Sequence, residues 1–459
     1  MFFQLVLTAT DRNDAFAETP FAETPGDLDM TRPTPRRRLL AALTVCALGA
    51  TLLSGGPAWA SNDVLSPGTT IFNDPHSSTK EAAHGLRGQA KKDALRLSRI
   101  PSSTWFTDGT PAEVEHDVRK LVRHTGKKVP VLVAYNIPFR DCALYSAGGA
   151  RDVAEYKAWI DGFAAGIGRE KVAVVLEPDG LGVIPWYTTL DGELESCRPP
   201  EYDPETTGRD AAAERFEMLN YAVDRLQQQP HTVVYLDGTG SSWLNVGESA
   251  DRLLKAGVER ADGFFLNVSN YEYTENVVAY GTWISQCIAY VTQVVPGDFA
   301  NCGNQYWSGG PANEWTGVTL SNQGVWSPTA DDPALNTAGI DSRYDEVLGD
   351  VEPTTHFVVD TSRNGQGAWA APAGVYPDAE TWCNPPGRGL GQRPTTDTGN
   401  ELVDALLWIK IPGESDGQCF RGLGGPEDPE RGMIDPAAGQ WFPEQARELI
   451  ELARPALDR

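Results

Sequence analysis

Six short apolar runs, spread over residues 129–411 and separated by amphipathic or polar stretches, restrict the fold of this chain more than any other feature. The clearest is Val172-Ala-Val-Val-Leu176. Five apolar, mostly β-branched residues suit a strand buried on both faces, and the Glu177-Pro178-Asp179-Gly180 that follows ends the ladder and turns the chain away. Residues 129–135, 232–236, 263–268, 356–360 and 405–411 read the same way. Between them, residues 152–167 are helical, with Val153, Tyr156, Trp159, Ile160 and Phe163 on one face, and residues 210–229 and 248–256 form further helices. Strands that alternate with helices build right-handed βαβ units and a parallel sheet. Closed into a barrel, all the strand ends face one mouth.

Polar residues gather at those ends. Tyr135 to Asp141 follow the first run, Asp179 the second and Asp237 the third. Asn267 and Asn270 follow the fourth, Asp360 the fifth, and Lys410, Glu414 and Asp416 the last. A single Asp after a strand is usually a helix cap. Acids repeated at one end of every strand point instead to a crevice where the loops converge. Carboxyls sharing a water-poor crevice cannot all ionise, so one keeps its proton as a general acid while another stays a base.

The 459 residues carry a net charge of −25 and 13 Trp. The acidity argues against nucleic acid or an anionic membrane as partner, and exposed aromatic rings would suit the flat apolar faces of sugars. Residues 1–60 read as a leader. Arg36-Arg37-Arg38, the apolar run 39–53 and Ala58-Trp59-Ala60 make a secretory signal cleaved near Ala60, with translation starting at Met30 and export by the general or twin-arginine route. Residues 61–100 form a polar lead-in with a helix near 90–97, and 101–459 a single catalytic domain. Cys46 leaves with the signal. Cys142, Cys197, Cys287, Cys302, Cys383 and Cys419 remain, an even number that implies three disulfides in an exported protein, with fifteen pairings open. The scattered His and Cys offer no metal-ligand spacing, and no phosphate-binding or dinucleotide fingerprint occurs, so neither metal nor cofactor is expected. Without a Ser-His-Asp order either, acid/base cleavage of an acetal is the chemistry left.

Six segments carry a more specific signal: Tyr135-Asn-Ile-Pro-Phe-Arg-Asp141-Cys142, Leu176-Glu-Pro-Asp179-Gly, Asn267-Val-Ser-Asn270-Tyr, Asp360-Thr-Ser-Arg-Asn-Gly, Thr381-Trp-Cys-Asn384 and Lys410-Ile-Pro-Gly-Glu414-Ser-Asp416-Gly. Together, and in this order, they resemble glycoside hydrolase family 6, the cellulases, from about Trp105 to the C-terminus. The resemblance implies a distorted parallel β/α barrel of about seven strands, α/β in class, with long disulfide-pinned loops over its C-terminal face, and inverting cleavage of β-1,4-glucan. By resemblance Asp179 is the general acid, and Asp141 the carboxylate that raises the acid's pKa and helps to organise the attacking water. Asp416 matches the proposed base, Asp237 a supporting Asp, and Tyr135 the residue that distorts the sugar. Ser146 matches the Ser that holds the water. Trp105, Trp243, Asn267, Asn270, Trp382, Asn384, Lys410 and Glu414 match substrate contacts. Cys142 with Cys197, and Cys383 with Cys419, match the family's disulfides, which leaves Cys287 and Cys302 for each other. Where the family commonly has Asp-Ala-Gly-His, this chain has Asp237-Gly-Thr-Gly240, so the His is absent.

Residues 271–351 exceed what one βα connection needs and contain Trp283, Trp307, Trp315 and Trp326; residues 186–207 form a second extension. Long pinned loops within a compact domain are usually functional. Together these two are expected to roof the cleft into a tunnel, which implies a monomeric cellobiohydrolase acting on cellulose and cello-oligosaccharides from non-reducing ends. Loops that only pad the flank imply an endoglucanase. A secreted glucan-binding protein on a dead barrel is the alternative from another class, and the intact acids argue against it.

Overall fold

The computed structural model describes residues 63–457, so the leader and its cleavage site lie outside the described residues. Seven parallel strands, β1 Thr104–Phe106, β2 Val131–Ala134, β3 Val172–Leu176, β4 Thr232–Asp237, β5 Gly263–Leu266, β6 His356–Asp360 and β7 Val403–Leu407, pair in chain order and curl into a distorted α/β barrel. Helices α1 Ser78–Gly85, α2 Gly88–Leu97, α3 Pro111–Val122, α4 Val153–Ile167, the single turn α5 Pro204–Thr207, α6 Ala211–Leu226, α7 Val246–Lys255, α8 Thr274–Ala289, α9 Ala338–Leu348 and α10 Pro443–Glu451 complete the chain.

Side-chain alternation along each strand divides the core in two. Leu132, Val174, Leu236, Phe264 and Val359 point outward to α3, α4, α6, α7 and α8. Val131, Val133, Val175, Tyr235, Phe265 and Val358 fill the interior. Both faces being covered, every residue of β3 is buried, which explains why its five-residue apolar run was so plain.

Three segments depart from the sequence reading. Strand β1 was not expected from the residues; it is three half-buried residues long. A register shift opposite Phe357 and Val358 pairs them with Val403 and Ala405, leaving Asp404 as the extra residue, so β7 starts two residues early. It also ends at Leu407, because Trp408 turns away to pack with Leu97, Leu390 and α10. Among the described residues no ladder joins β7 to β1. Instead Ser103 N–H donates to Trp408 O at 3.0 Å, and Trp105 Nε1 to Ile409 O at 2.9 Å. The polar lead-in also does more than lead in: Val64, Leu65 and Ile71 enter the interior cluster, where Val129 and Phe72 exchange backbone bonds with the opposite segment.

The disulfides pair Cys142 with Cys197, Cys287 with Cys302 and Cys383 with Cys419, and three of them fit an oxidising, extracellular setting.

Candidate active site

At the carboxyl ends of the strands, several non-glycine residues have backbone φ in the left-handed region: Asp141 (54°), Glu177 (55°), Asp179 (63°), Asn267 (68°) and Asn384 (42°). Such conformations are costly and persist only where surrounding contacts dictate them. For Asp179 those contacts lie on both sides. Glu177, fully buried, accepts from Asn136 N–H (2.9 Å) and Ile137 N–H (2.9 Å), tying the end of β3 to that of β2. Asp237, at the end of β4, accepts from Leu181 N–H (3.2 Å) and Gly182 N–H (3.1 Å), just beyond Asp179. Burial pushes Glu177 up to about 7 and Asp237 up to about 6. Buried Arg215 completes the clamp with bonds to Gly180 O and Pro138 O.

Asp179 itself receives no hydrogen bond on its carboxyl from the described residues. Burial, then the charges of Asp237 and Asp141 and, more weakly, Asp416, hold its carboxyl well above the usual carboxylate range, with Lys410 opposing them. Asp141, Asp237 and Asp416 therefore lie near enough to Asp179 for their charges to act on it. On the β2 side, Asp141 is raised by burial and accepts from Ser146 N–H (2.9 Å) and Ser146 Oγ–H (2.8 Å), both on Oδ2. Tyr135, whose hydroxyl is 3.5 Å from Ser146 Oγ, meets the Trp105 ring edge-on with centres 5.4 Å apart.

Asp416 is built the opposite way. Its carboxyl accepts from Tyr271 Oη–H at 2.7 Å, Arg363 Nη1–H at 3.0 and 2.9 Å and Asn384 N–H at 3.0 Å, with Lys410 Nζ at 3.4 Å. Burial alone would raise its pKa, but Arg363 and Lys410 outweigh it and hold the group below its ordinary value. Asp360 accepts from Lys410 N–H at 2.9 Å, fixing where that lysine starts.

The expected substrate contacts divide into two groups. Trp243 and Trp382 are exposed, and Trp105, Asn270 and Glu414 are part-exposed. Trp243 lies over Gly182, where any Cβ would run into its ring. Asn267 and Asn384 are fully buried, which corrects their expected place as substrate contacts. Asn384 spends its amide on Ser415 Oγ, Gly417 O and Asp435 and its carbonyl on Asp416 N–H and Gln445; it positions the Asp416 loop. Asn267 bonds Asp360 O and Asn364. Lys410 is also buried, its amine on Ser415 O. At the departure after β4, Thr239 donates its N–H to Asp237 and meets the Tyr280 hydroxyl at 3.3 Å.

Sequence reasoning passed over Arg363 and Tyr271, although both stand in the quoted segments, and over Ser78 of α1, whose hydroxyl donates to Glu414 Oε1.

The loops also differ from expectation. Residues 186–207 lie along α7, through Leu190 N–H to Glu248 (2.8 Å) and Arg252 to Glu195 (2.6 Å). Residues 303–326 pack on the loop after β4, through Gln305 to Leu244 O and Tyr306 Oη–H to Trp243 O. Among the described residues no hydrogen bond joins these two extensions. A different contact links the loops flanking Asp179: Tyr145, four residues after Asp141, donates to Glu380 Oε1 at 2.7 Å. Its ring covers Gly417 and meets Trp382 and Phe420 with centres 5.7 and 6.2 Å away.

The barrel thus places at its strand ends a carboxyl, that of Asp179, which receives no hydrogen bond from the described residues and has other acids beside it. Residues 66–453 match the family model described as glycosyl hydrolases family 6. The chain belongs to that family. Endoglucanase 1 of Streptomyces halstedii is 32% identical over 419 residues, covering 90% of this chain and 98% of the relative; the match spans 62% of the longer endoglucanase A of Cellulomonas fimi. A protein named probable 1,4-beta-D-glucan cellobiohydrolase C, from Aspergillus terreus, is 29% identical, with 85% of this chain and 75% of the relative covered. Among solved structures, the endoglucanase Cel6 of Mycobacterium tuberculosis, in complex with a thio-linked cello-oligosaccharide, superimposes with a TM-score of 0.56 at 29% identity, over 84% of this chain and 97% of the other. As a family 6 member the chain is a glycoside hydrolase.

Proposed function

We propose that this protein is a secreted, monomeric cellulase that hydrolyses β-1,4-glucosidic bonds with inversion and releases cellobiose from non-reducing chain ends. The observation that carries the hydrolytic reading is Asp179, whose carboxyl takes no hydrogen bond from the described residues and is held above its ordinary pKa by burial and by the charges of Asp237 and Asp141. It delivers its proton to the glycosidic oxygen as the C1–O bond breaks, and water attacks C1 from the opposite face. Asp416 is poorly suited to accept that water's proton. Its Oδ2 already accepts from Arg363, Tyr271 and Asn384, its Oδ1 accepts from Arg363 with Lys410 beside it, and a carboxylate held below its ordinary pKa is a weak base. It serves instead as a fixed negative charge facing the developing oxocarbenium ion. Asp141 keeps Oδ1 clear of hydrogen bonds from the described residues, and with Ser146 it is the better water holder.

The exo reading is supported by Tyr145, which straps the Asp141 loop to the Cys383–Cys419 loop. An endo reading is favoured by residues 186–207, which lie along α7 rather than reaching across the cleft. Product analysis separates them. Cellobiose from swollen cellulose with little viscosity loss on a soluble substituted cellulose is expected, with Tyr145→Ala raising the viscosity loss per reducing end formed. Rapid viscosity loss by the parent enzyme would establish endo attack, and no sugar release at all would overturn the hydrolytic reading.

A further inference from the structure

The four Trp of residues 271–351 divide cleanly. Trp283 and Trp326 are buried and stack on each other with centres 5.6 Å apart. Trp307 and Trp315 also stack, with centres 6.2 Å apart and planes 23° from parallel, yet remain 41% and 49% exposed. Burying an indole is the default on folding, so two neighbouring indoles left in solvent call for a reason. The surroundings hold these rings in place. Gly309 and Gly317 leave no room for a Cβ beside Trp307, and the Arg343 guanidinium sits 5.8 and 5.7 Å from the two ring centres. The next aromatic, Tyr306, is 42% exposed and donates its hydroxyl to Trp243 O at 2.7 Å. Trp243, 36% exposed, lies over Gly182, three residues from Asp179. The exposed pair is thus joined to the acid's own loop through Tyr306, its neighbour in the chain, and the hydrogen bond of that residue to Trp243 O.

We propose that Trp307 and Trp315, joined to the cleft through Tyr306 and Trp243, form a docking platform for a β-1,4-glucan chain at the surface of insoluble cellulose. The proposal rests on the cellulase reading above. A neutral polysaccharide offers no opposite charge to a protein with a net charge of −25, so long-range attraction is lacking and apolar contact can supply the retention. The flat C–H faces of glucose units supply that contact to an indole ring. Rings already fixed by packing lose little freedom on binding. The platform holds the enzyme on the solid while one chain passes to Trp243, and it touches neither Asp179 nor Asp141.

The test is adsorption of the full-length enzyme to microcrystalline cellulose in the cold, measured for the parent, Trp307→Ala/Trp315→Ala and Trp315→Ala, beside kcat/KM on soluble cellotetraose. The double variant should adsorb at least about fivefold more weakly, with kcat/KM on cellotetraose within about twofold of the parent. Adsorption within about twofold of the parent overturns the platform. If the double variant melts early, Trp315→Ala decides, and Trp315→Phe should restore most of the adsorption; a single variant that adsorbs like the parent overturns the platform too. A parent that adsorbs in a Trp-dependent way but cleaves no β-1,4-glucan would sink the hydrolytic reading and leave the platform standing.

Discussion

Removing the guanidinium of Arg363 tests whether Asp416 is kept ionised by its partners. Arg363 is fully buried, gives Asp416 two hydrogen bonds of 3.0 and 2.9 Å, and lies 3.9 Å over the Tyr271 ring. Arg363→Met keeps most of the volume and loses the charge, leaving Asp416 with Tyr271, Asn384 N–H and Lys410 at 3.4 Å. Breaking a buried ion pair from one side costs about 3–5 kcal/mol. With unfolding entropy near 2.1 cal/mol/K per residue, a chain of this length loses about 1 °C of Tm per kcal/mol, so Tm should fall by about 3–5 °C at roughly pH 7.5. The sign with pH follows from the direction of the shift. Asp416, depressed in the folded parent, contributes stability that is present above its unfolded pKa and is lost as the pH falls through its folded pKa. Without Arg363 the folded pKa rises and the buried carboxyl can take a proton in mild acid, so the gap between variant and parent should narrow towards about pH 4.5. Adding Asp416→Asn removes the stranded charge and should recover about half of the loss. Thermal unfolding of the parent, both single variants and the double variant at the two pH values measures this. A loss below about 1 °C, an equal loss at both pH values, or no recovery in the double variant would refute the account of Asp416 as a partner-held anion.

Three further outcomes are expected. Asp179→Asn should abolish cellobiose release and raise Tm at neutral pH, because an acid raised in the folded state weakens the fold at every pH above its unfolded pKa; residual turnover near the parent's, or a lower Tm, counts against it. Asp141→Asn should lower kcat and move the basic limb of the kcat/KM profile to lower pH, since the Asp141 charge helps to hold Asp179 protonated; an unmoved limb would remove that role. Replacing both Cys142 and Cys197 by Ser opens a crosslink spanning 55 residues, worth about 4 kcal/mol in the chain-entropy account. It also frees the residue next to Asp141, so kcat at 25 °C should drop even where the fold is intact, and an unchanged kcat would show that the crosslink does not hold the catalytic loop.

What the sequence made legible, and what it hid, follows from how each residue acts. A strand buried on both faces must be apolar throughout, so residues 172–176 announce β3, and an acid placed after such a run announces Asp179. Strand β1 is half-buried and three residues long, too short to show a period. The bulge at Asp404 puts an acid inside β7 and so conceals where that strand begins. Val64, Leu65 and Ile71 plug the barrel from within a stretch polar enough to pass for a linker. Arg363 was hidden differently: an arginine between Ser362 and Asn364 looks like solvent-facing charge until the fold brings Asp416 to it from 53 residues away. The same holds for the backbone at Asp141, Glu177 and Asp179, where residue type gives no hint of a left-handed φ. At Glu177 and Asp179 the contacts that hold it are Glu177 reaching back to β2 and Asp237 reaching across from β4. The acid's identity is thus local, while its aim and its proton affinity come from residues that only the closed barrel assembles.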